Sequence, residues 1–453
     1  MNLGAPVFLE TLDNLLTITP IAGAMLRGLA ETSSEGEKPM DAGRKTYRGS
    51  LLVLSIVLAA AAMAGAQAGQ LDASFGTGGI VTTDFGNQIN SNIATASAVT
   101  IQSDGKILVC GGIPSGTGFP VAAIARYNTD GSLDSTFGSS GIVVTSNLAP
   151  PGAITVQSDG KIVVAGPTGG LEINVARYTS AGSLDPTFGT GGIFTTGLEL
   201  GSFSTVSTVV IQPDGKILVA DGILLRLLAN GQIDSSFGTA GVASVIGSSA
   251  GALALLPGGK ILVSSGISSF ISRYKSNGSL DTTFAINGQL ASPGPANALL
   301  LLNTGDFVVN GSLTSSLTGP TTGFAVSRYL GMGVTDGSFA THGGVVTPVP
   351  GFSTVSASGL NVQSSGDIVA AGTATVNFTT VAFALARYTS AGKLDTTFGS
   401  NGTVTTSFGT TSLSAPGLAI QADGKIVAVA GFTTTVPHGE FDTGFKVVRY
   451  LGQ

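Results

Sequence analysis

Short apolar runs separated by turns that contain Asp and Gly make up most of this chain. Runs such as residues 162–165 are apolar without alternation, which predicts strands that are buried on both faces. Asp-Gly between apolar β-branched runs predicts a tight type I′ hairpin, whose two central residues both need positive φ. The string Gln-x-Asp-Gly-Lys-Ile begins at Gln102, Gln157, Gln212 and Gln421, and degenerate copies begin at Leu256, Leu302 and Gln363. Each copy therefore predicts two antiparallel strands.

Two further markers recur in a fixed order after this turn. An Arg, usually followed by Tyr, ends an apolar strand at Arg126, Arg177, Arg226, Arg273, Arg328, Arg387 and Arg449. The string Leu-Asp-x-x-Phe-Gly, complete or degenerate, places its Phe at Phe75, Phe137, Phe188, Phe237, Phe284, Phe339 and Phe398. The Arg and the next Phe are eleven residues apart in all six continuous copies, which predicts one rigid connection. Each unit therefore has four strands, and a fourth strand follows the Phe marker.

Seven units of four antiparallel strands predict an all-β fold, a seven-bladed β-propeller. The alternative is an open β-solenoid, which needs distinct capping units at both ends. The last unit stops shortly after Arg449 and lacks a Phe marker and a fourth strand, whereas both parts occur near Asp72 and Phe75. One blade built from both ends of the chain would remove an exposed sheet edge. The sequence therefore favours a ring closed by strands from both termini.

The strings Asp-Gly-Lys-Ile, Ala-Arg-Tyr and Gly-Ser-Leu-Asp-x-x-Phe-Gly resemble the bacterial delta-60 repeat, a propeller-type repeat. The resemblance covers residues 69–453. It is weakest in the fourth and fifth units, where residues 257–259 and 304–306 replace the usual turn and Ala285 and Ala340 replace Gly. It implies a secreted or surface-located bacterial protein. It supplies no agreed activity and no catalytic residues.

The N-terminal region has the pattern of a signal peptide. Three basic residues between positions 44 and 48 precede an uncharged apolar stretch at 51–64, followed by Ala64-Gly65-Ala66 and Ala66-Gln67-Ala68. We predict a signal peptide at 40–68, cleaved after Ala68, and a propeller at 69–453. Residues 1–39 are interpreted as a mis-called start or a disordered leader. The predicted location is secreted, periplasmic or at the cell surface, with an uncleaved membrane anchor as the alternative.

Charge and rare residue types narrow the possible functions. Lys and Arg total 20 and the net charge is −6, so the basic surface that nucleic acid requires is not expected. The single cysteine, Cys110, stands in an apolar string and is interpreted as a small buried hydrophobe. Only two histidines, His342 and His438, are present, which excludes a multi-histidine metal site. No cofactor, metal site or catalytic residue is predicted.

The repeated residues are interpreted as structural. Phe75, Phe137 and Phe188 are expected to pack between blades, and the Asp of each Asp-Gly turn is expected to form that turn. Arg and Asp stand eight residues apart in each continuous copy. A guanidinium can clamp a carboxylate through two hydrogen bonds, so each unit predicts an ion pair. The named pairs are Arg126 with Asp134, Arg177 with Asp185 and, across the closed ring, Arg449 with Asp72.

The loops offer the candidate binding site. Connections between the second and third strands, and between blades, emerge on one face, where loop length varies most. This face is the expected ligand side, unless the variation is drift in unconstrained loops. The seventh unit places His438, Glu440 and Asp442 in one loop, where they could bind a ligand or simply be solvated.

We therefore predict a binding or surface-interaction module rather than an enzyme. Its partner would be an extracellular glycan, a cell-wall polymer or a protein, bound by the loops or by the central channel. The alternative is an extracellular carbohydrate-active hydrolase or lyase on the same scaffold. That activity would need two carboxylates facing each other across the channel mouth, at roughly 5–10 Å.

Overall fold

The computed structural model describes the chain from residue 67 to residue 453, except for ten short segments and two single residues. These gaps are 89–92, 117, 169–171, 198–205, 207, 247–249, 266–268, 315–321, 377–379, 410–411, 415–416 and 437–439. The predicted leader at 1–39 and nearly all of the predicted signal peptide lie outside the described residues. Both stay predictions.

Six blades are antiparallel sheets of four consecutive strands, and their bounds follow in chain order. The first strand of the chain, β1 (Ile80–Gln88), belongs to a seventh blade. Blade 1 contains β2 (Thr95–Ile101), β3 (Ile107–Ile113), β4 (Val121–Tyr127) and β5 (Ile142–Thr145). Blade 2 contains β6 (Ala153–Val156), β7 (Ile162–Pro167), β8 (Ile173–Tyr178) and β9 (Ile193–Thr195). Blade 3 contains β10 (Thr208–Ile211), β11 (Ile217–Ala220), β12 (Ile223–Leu227) and β13 (Val242–Ser244).

Blades 4 to 6 repeat this order. Blade 4 contains β14 (Ala250–Leu255), β15 (Ile261–Ser265), β16 (Phe270–Tyr274) and β17 (Gln289–Ala291). Blade 5 contains β18 (Ala298–Leu301), β19 (Phe307–Thr314), β20 (Thr322–Tyr329) and β21 (Gly344–Pro348). Blade 6 contains β22 (Thr354–Val362), β23 (Ile368–Val376), β24 (Thr380–Tyr388) and β25 (Thr403–Ser407).

Blade 7 combines the two ends of the chain. Its C-terminal strands are β26 (Ser412–Leu413), β27 (Gly417–Ile420), β28 (Ile426–Thr435) and β29 (Phe441–Tyr450). Strand β1 pairs with β29 in antiparallel register, with Ile80 opposite Val448. The innermost strands contact one another in blade order, and β27 of blade 7 contacts both β22 and β2. The ring is therefore closed, which confirms the predicted seven-bladed propeller and rejects the open solenoid.

A hydrophobic core lies between each pair of neighbouring blades, so seven cores run around the ring. Between blades 1 and 2, for example, Leu108 and Ile124 pack against Ile162 and Val164. The Phe of the third marker is fully buried in every blade. Cys110 is also fully buried, as predicted, and burial raises the pKa of its thiol to about 12.

The Asp-Gly turns differ from the predicted type. In blade 1 the Gln102 amide donates to the Lys106 carbonyl, so three residues form the connection, and Gly105 has a φ of 83°. Asp104 is not among the residues with positive φ, so the predicted type I′ turn is wrong. Its Oδ1 accepts a hydrogen bond from the Lys106 amide at 3.1 Å instead. The longer connection, with one glycine in the left-handed region, is a common alternative hairpin.

The described residues include one helical segment, the 3-10 turn Pro257–Gly259 that replaces the Asp-Gly turn of blade 4. None of them forms a helix long and apolar enough to cross a membrane.

Candidate functional site

The Arg and Asp that repeat in each unit are in contact in all seven blades. Each Arg Nε lies 2.6–2.9 Å from an Asp Oδ2. The pairs are Arg126–Asp134, Arg177–Asp185, Arg226–Asp234, Arg273–Asp281, Arg328–Asp336, Arg387–Asp395 and Arg449–Asp72. The last pair joins the two ends of the chain at 2.8 Å.

Each of these guanidinium groups also links its own blade to the next one. The Arg126 guanidinium carbon lies 4.4 Å from the centre of the Phe137 ring. Its Nη1 donates to the Ser180 carbonyl of blade 2 at 2.6 Å. Arg449 repeats the arrangement over Phe75 and donates to the Thr129 carbonyl of blade 1. The repeated charges therefore stabilise the junctions between blades.

The aspartates of these pairs are held ionised. Burial by itself would raise the pKa of Asp72, but hydrogen bonds from Ser74, the charge of Arg449 and a hydrogen bond from Lys425 lower it to about 2. The lysine comes from the Asp-Gly-Lys turn, and its Nζ lies 3.3 Å from Asp72. Stable ionisation suits a structural ion pair and leaves no proton to exchange near neutral pH.

The Tyr that follows the Arg binds the preceding blade. The Tyr127 hydroxyl lies 2.6 Å from Thr83 Oγ1 on β1, and the Tyr178 hydroxyl lies 2.7 Å from Thr145 Oγ1 on β5. Burial raises the pKa of Tyr178 to about 12 despite its hydrogen bond to Thr145. Arg and Tyr at the end of one strand therefore contact both neighbouring blades.

The Gln of the turn motif has a structural role that the sequence interpretation missed. Gln363 Nε2 donates to the Gly424 carbonyl of the next blade at 2.8 Å, and Gln421 Nε2 donates to the Gly105 carbonyl at 3.4 Å. The signal was present in the sequence, because a Gln starts every intact copy of the turn motif.

Two of the three predicted binding residues fall in the described part of blade 7. Glu440 is half-buried immediately before β29, and its carbonyl accepts a hydrogen bond from the Val436 amide at 3.0 Å. Asp442 is the second residue of β29. His438 lies outside the described residues, so its role stays a prediction. The structure therefore describes Asp442 and Glu440 at the same end of one strand.

Asp84 on β1 lies beside Asp442. The pairing of β1 with β29 has an irregularity between Asp84 and Asn87, and Asp442 stands opposite Asn87. Burial, hydrogen bonding with the Asp84 carboxyl and the charge of that carboxyl raise the pKa of Asp442. Sequence analysis missed Asp84 because it stands at the opposite end of the chain.

Lys446 completes this group on the same side of β29. Its Nζ donates to Thr82 Oγ1 at 2.8 Å and lies 4.5 Å from the centre of the Phe432 ring. Burial lowers the pKa of Lys446, while the charges of Asp442 and Asp84 act in the opposite direction. We name Asp84, Asp442, Lys446, Thr82 and Phe432 the seam cluster, because they lie where the two chain ends pair.

The seam cluster has the groups of a polar binding site. Asp442 Oδ1 is buried and has no hydrogen-bond partner within the described residues. Carboxyl oxygens accept hydrogen bonds from hydroxyl and ammonium groups, whereas the buried Phe432 ring supports Lys446 from below. In the described part of the chain, no group of three or more His, Cys, Asp or Glu could hold a metal ion.

The central channel offers different chemistry. Its seven surrounding strands, β2, β6, β10, β14, β18, β22 and β27, contain no acidic or basic residue within their described bounds. The two carboxylates that the alternative enzyme would need are therefore not supplied by these strands. Asp442 lies on the third strand of blade 7 and Asp84 on the fourth, away from the channel.

Two open clefts lie away from the seam cluster. One, of about 300 Å³, includes Pro293, Leu313, Tyr329 and His342 in its lining. His342 has a φ of 58°, at a turn position where Asn287 and Asn401 also have positive φ. The other, of about 460 Å³, lies between Gln67 and blade 6. His342 is therefore best explained as a turn residue that borders a cleft.

Comparison with known proteins supports the repeat. Five segments match the model of a family described as a domain of unknown function (DUF5122) β-propeller, at residues 102–137, 157–188, 212–237, 257–284 and 363–398. These matches support a β-propeller repeat family of unknown function. They include the turn motif and the Phe marker in blades 1, 2, 3 and 6, and they show no ligand or activity. No curated protein matches the chain in sequence.

Solved structures resemble the chain at low identity. A catalytically inactive variant of virginiamycin B lyase from Staphylococcus aureus, with quinupristin, is 14% identical with a TM-score of 0.47. That alignment covers 82% of this chain and 99% of the lyase. A streptogramin B lyase is 13% identical, with a TM-score of 0.46 over 82% of this chain and 98% of that one. YCF48 bound to D1 peptide is 9% identical, with a TM-score of 0.43 over 85% and 100%. Likenesses this remote assign no activity to the chain.

Proposed function

We propose that the protein is an exported, non-enzymatic binding propeller that binds its ligand at the seam cluster of blade 7. One arrangement carries this proposal: Asp442 on β29 lies beside Asp84 on β1, and its buried Oδ1 has no hydrogen-bond partner among the described residues. Among the described carboxyl groups with a shifted pKa, Asp442 alone has its pKa raised, whereas the shifted aspartates of the repeat have theirs lowered. Two adjacent carboxyls repel when both are ionised, and groups perturbed in this way concentrate at functional sites.

The charges of the site favour a cationic, hydroxyl-rich ligand. Asp84, Asp442 and the nearby Glu440 provide three carboxyl groups against the single ammonium of Lys446. A ligand ammonium could lie between the two carboxyl groups and would hydrogen-bond the unpartnered Asp442 Oδ1. We therefore propose a polysaccharide or cell-wall polymer that bears free amino groups.

Export is part of the same proposal. The basic residues, apolar stretch and small residues at 40–68 support a signal peptide, and the repeat strings support a place among delta-60 repeat proteins. Binding would then occur in the periplasm or outside the cell, where such polymers are found. The strands around the central channel contain, within their described bounds, no charged residue to bind such a polymer. The loop end of blade 7, which carries the carboxyl groups of the seam cluster, is therefore the better binding surface.

A pair of polymers tests the ligand class. The exported protein is incubated with chitosan, which carries free amino groups, and with fully acetylated chitin, which lacks them. We expect retention by chitosan and not by chitin. Binding should strengthen as the pH rises through the raised pKa of Asp442, because the protonated carboxyl carries no charge for the ammonium.

Two variants that each remove one negative charge locate the site. Asp442→Asn should weaken chitosan binding on the order of tenfold, because a hydrogen bond to a charged group contributes ~1.5–3 kcal/mol. Asp130→Asn is the matched control, since Asp130 is exposed at the opposite end of the blades and accepts a hydrogen bond from the Ser132 amide. Equal affinities for the two variants, measured by isothermal titration, would reject binding at the seam cluster.

A further inference from the structure

Ala68 is part of the junction between blades 6 and 7. It is buried, and its carbonyl accepts a hydrogen bond from the Gly399 amide at 2.8 Å. Gly399 directly follows Phe398, the Phe marker of blade 6. Residue 68 therefore contacts the propeller through both its side chain and its backbone.

The same hydrogen bond occurs at every junction of the ring. In each blade, the amide that follows the Phe marker donates to a carbonyl in the connection between the third and fourth strands of the next blade. The donor–acceptor pairs are Gly76–Asp130, Gly138–Ala181, Gly189–Asn230, Gly238–Asn277, Ala285–Met332, Ala340–Ala391 and Gly399–Ala68, at 2.7–3.1 Å. Blade 7 is divided between the two chain ends, and Ala68 supplies its acceptor.

Gln67 also contacts blade 6. Its Nε2 donates to the Gly399 carbonyl at 3.2 Å, and its backbone amide donates to Gln70 Oε1 at 3.2 Å. The Gln70 amide donates in turn to the Gln67 carbonyl at 3.0 Å. These bonds make residues 67–70 one hydrogen-bonded turn against blade 6. The turn continues into the ring through the Gly69 amide, which donates to the Leu451 carbonyl at 2.7 Å.

We propose that export processing cuts the chain between Ala66 and Gln67, so that the mature protein begins at Gln67. This inference rests on the proposed export. Hydrolysis of that bond consumes one water and leaves a carboxylate on Ala66 and an amino group on Gln67. Ala64-Gly65-Ala66 has the small residues that such a site needs.

The cut that the sequence alone favoured, after Ala68, does not fit the fold. It would remove the carbonyl that accepts the Gly399 hydrogen bond, together with all contacts of Gln67. Gly399 is partly buried, and an amide that loses its partner in such a place destabilises the folded state. The seventh junction would then be the only one among the described blades without this bond.

The mass of the mature protein tests the cleavage position. The full chain is expressed with its leader in a bacterial host, and the exported protein is analysed by intact mass spectrometry and N-terminal sequencing. We expect a mature chain that begins with Gln67, or with its cyclised form, in which the amino group has displaced ammonia from the side-chain amide. A chain that begins at Gly69 would overturn the inference and leave export intact. A chain that retains the leader would overturn both.

Two arginine variants provide a second readout that does not depend on folding. Ala64→Arg places a large charged residue three positions before the proposed cut, so unprocessed precursor should accumulate. A cut after Ala68 does not use residue 64, and would be unaffected. Gly65→Arg adds the same charge at the neighbouring position, which either cut tolerates, and should be processed normally. Normal processing of Ala64→Arg would overturn the inference.

Discussion

Blades 1 and 5 share the contacts at the blade junction and differ in their turns and in the connection between their third and fourth strands. Both contain the Arg–Asp pair, with Arg126–Asp134 in blade 1 and Arg328–Asp336 in blade 5, and in both the Arg lies over a buried Phe. Blade 5 replaces the Gln of the turn with Leu302 and the glycine after Phe339 with an alanine. The junction contacts persist where the rest of the repeat has diverged. The Arg–Asp–Phe group is therefore what a blade needs to join the ring.

The surfaces of the two regions also differ. The connection between the third and fourth strands is polar in blade 1, from Asn128 to Ser132, and apolar in blade 5. Met332 and Val334 there are 53% and 58% exposed, and Ile286 of blade 4 is 80% exposed. Leu330, Met332 and Val334 are exposed in this connection, but Met332 also reaches the junction, because its Sδ lies 3.8 Å from Nη1 of Arg273 in blade 4.

The largest difference in stability effects between blades 1 and 5 is expected at the residue that follows the marker Phe, which is Gly138 in blade 1 and Ala340 in blade 5. Gly138 has a φ of 54°, and a Cβ there would lie 2.5 Å from the Ile142 carbonyl oxygen. Gly138→Ala should lower the free energy of unfolding by about 2 kcal/mol. Ala340 already has a φ of 47°. Ala340→Gly should raise the free energy of unfolding by about 1 kcal/mol, because relief of the left-handed conformation outweighs the added chain entropy.

Urea denaturation followed by circular dichroism measures both changes. Opposite signs for the two substitutions are the expected result. Destabilisation by Ala340→Gly would mean that blade 5 has adapted to its alanine, and the strain argument would then fail.

A smaller effect on stability is expected from the charged residue that follows the turn glycine. Lys106 Nζ lies 2.9 Å from Asp134 in blade 1, whereas blade 5 places Asp306 at the corresponding position. Asp306→Lys should be more stable than Asp306→Ala by about 0.5 kcal/mol, because both lose the hydrogen bonds that Asp306 accepts from the Gly331 amide and Thr304 Oγ1, and only the lysine adds a partly exposed partner for Asp336. The gain should fall in high salt, since exposed pairs are screened. The same gain at low and high salt would exclude this ion-pair explanation.

The repeat made most of the fold predictable. The constant spacing from Arg to Phe, the paired apolar runs and the divided seventh unit together define four strands, seven blades and the closure. The turn type was wrong because Asp-Gly is compatible with hairpins of different length, and only the backbone shows that Gly105 alone takes positive φ between Gln102 and Lys106.

The candidate site was less accessible from sequence. Asp442 was identified because it stands in an unusual loop, but Asp84 and Thr82 reach it only through the pairing of β1 with β29. A contact between chain ends leaves no local pattern. The unsatisfied Asp442 Oδ1 depends on side-chain packing and is likewise invisible in the sequence.

A double-mutant cycle on Arg449 and Asp72 tests whether the two chain ends close the ring. The free energy of unfolding is measured for Arg449→Met, Asp72→Asn and the double variant, with Arg126→Met and Asp134→Asn as the reference cycle within one blade. The buried pair at 2.8 Å predicts a coupling energy of about 1–3 kcal/mol, close to the reference value. A coupling energy near zero for Arg449 and Asp72, with clear coupling for Arg126 and Asp134, would contradict the closed ring.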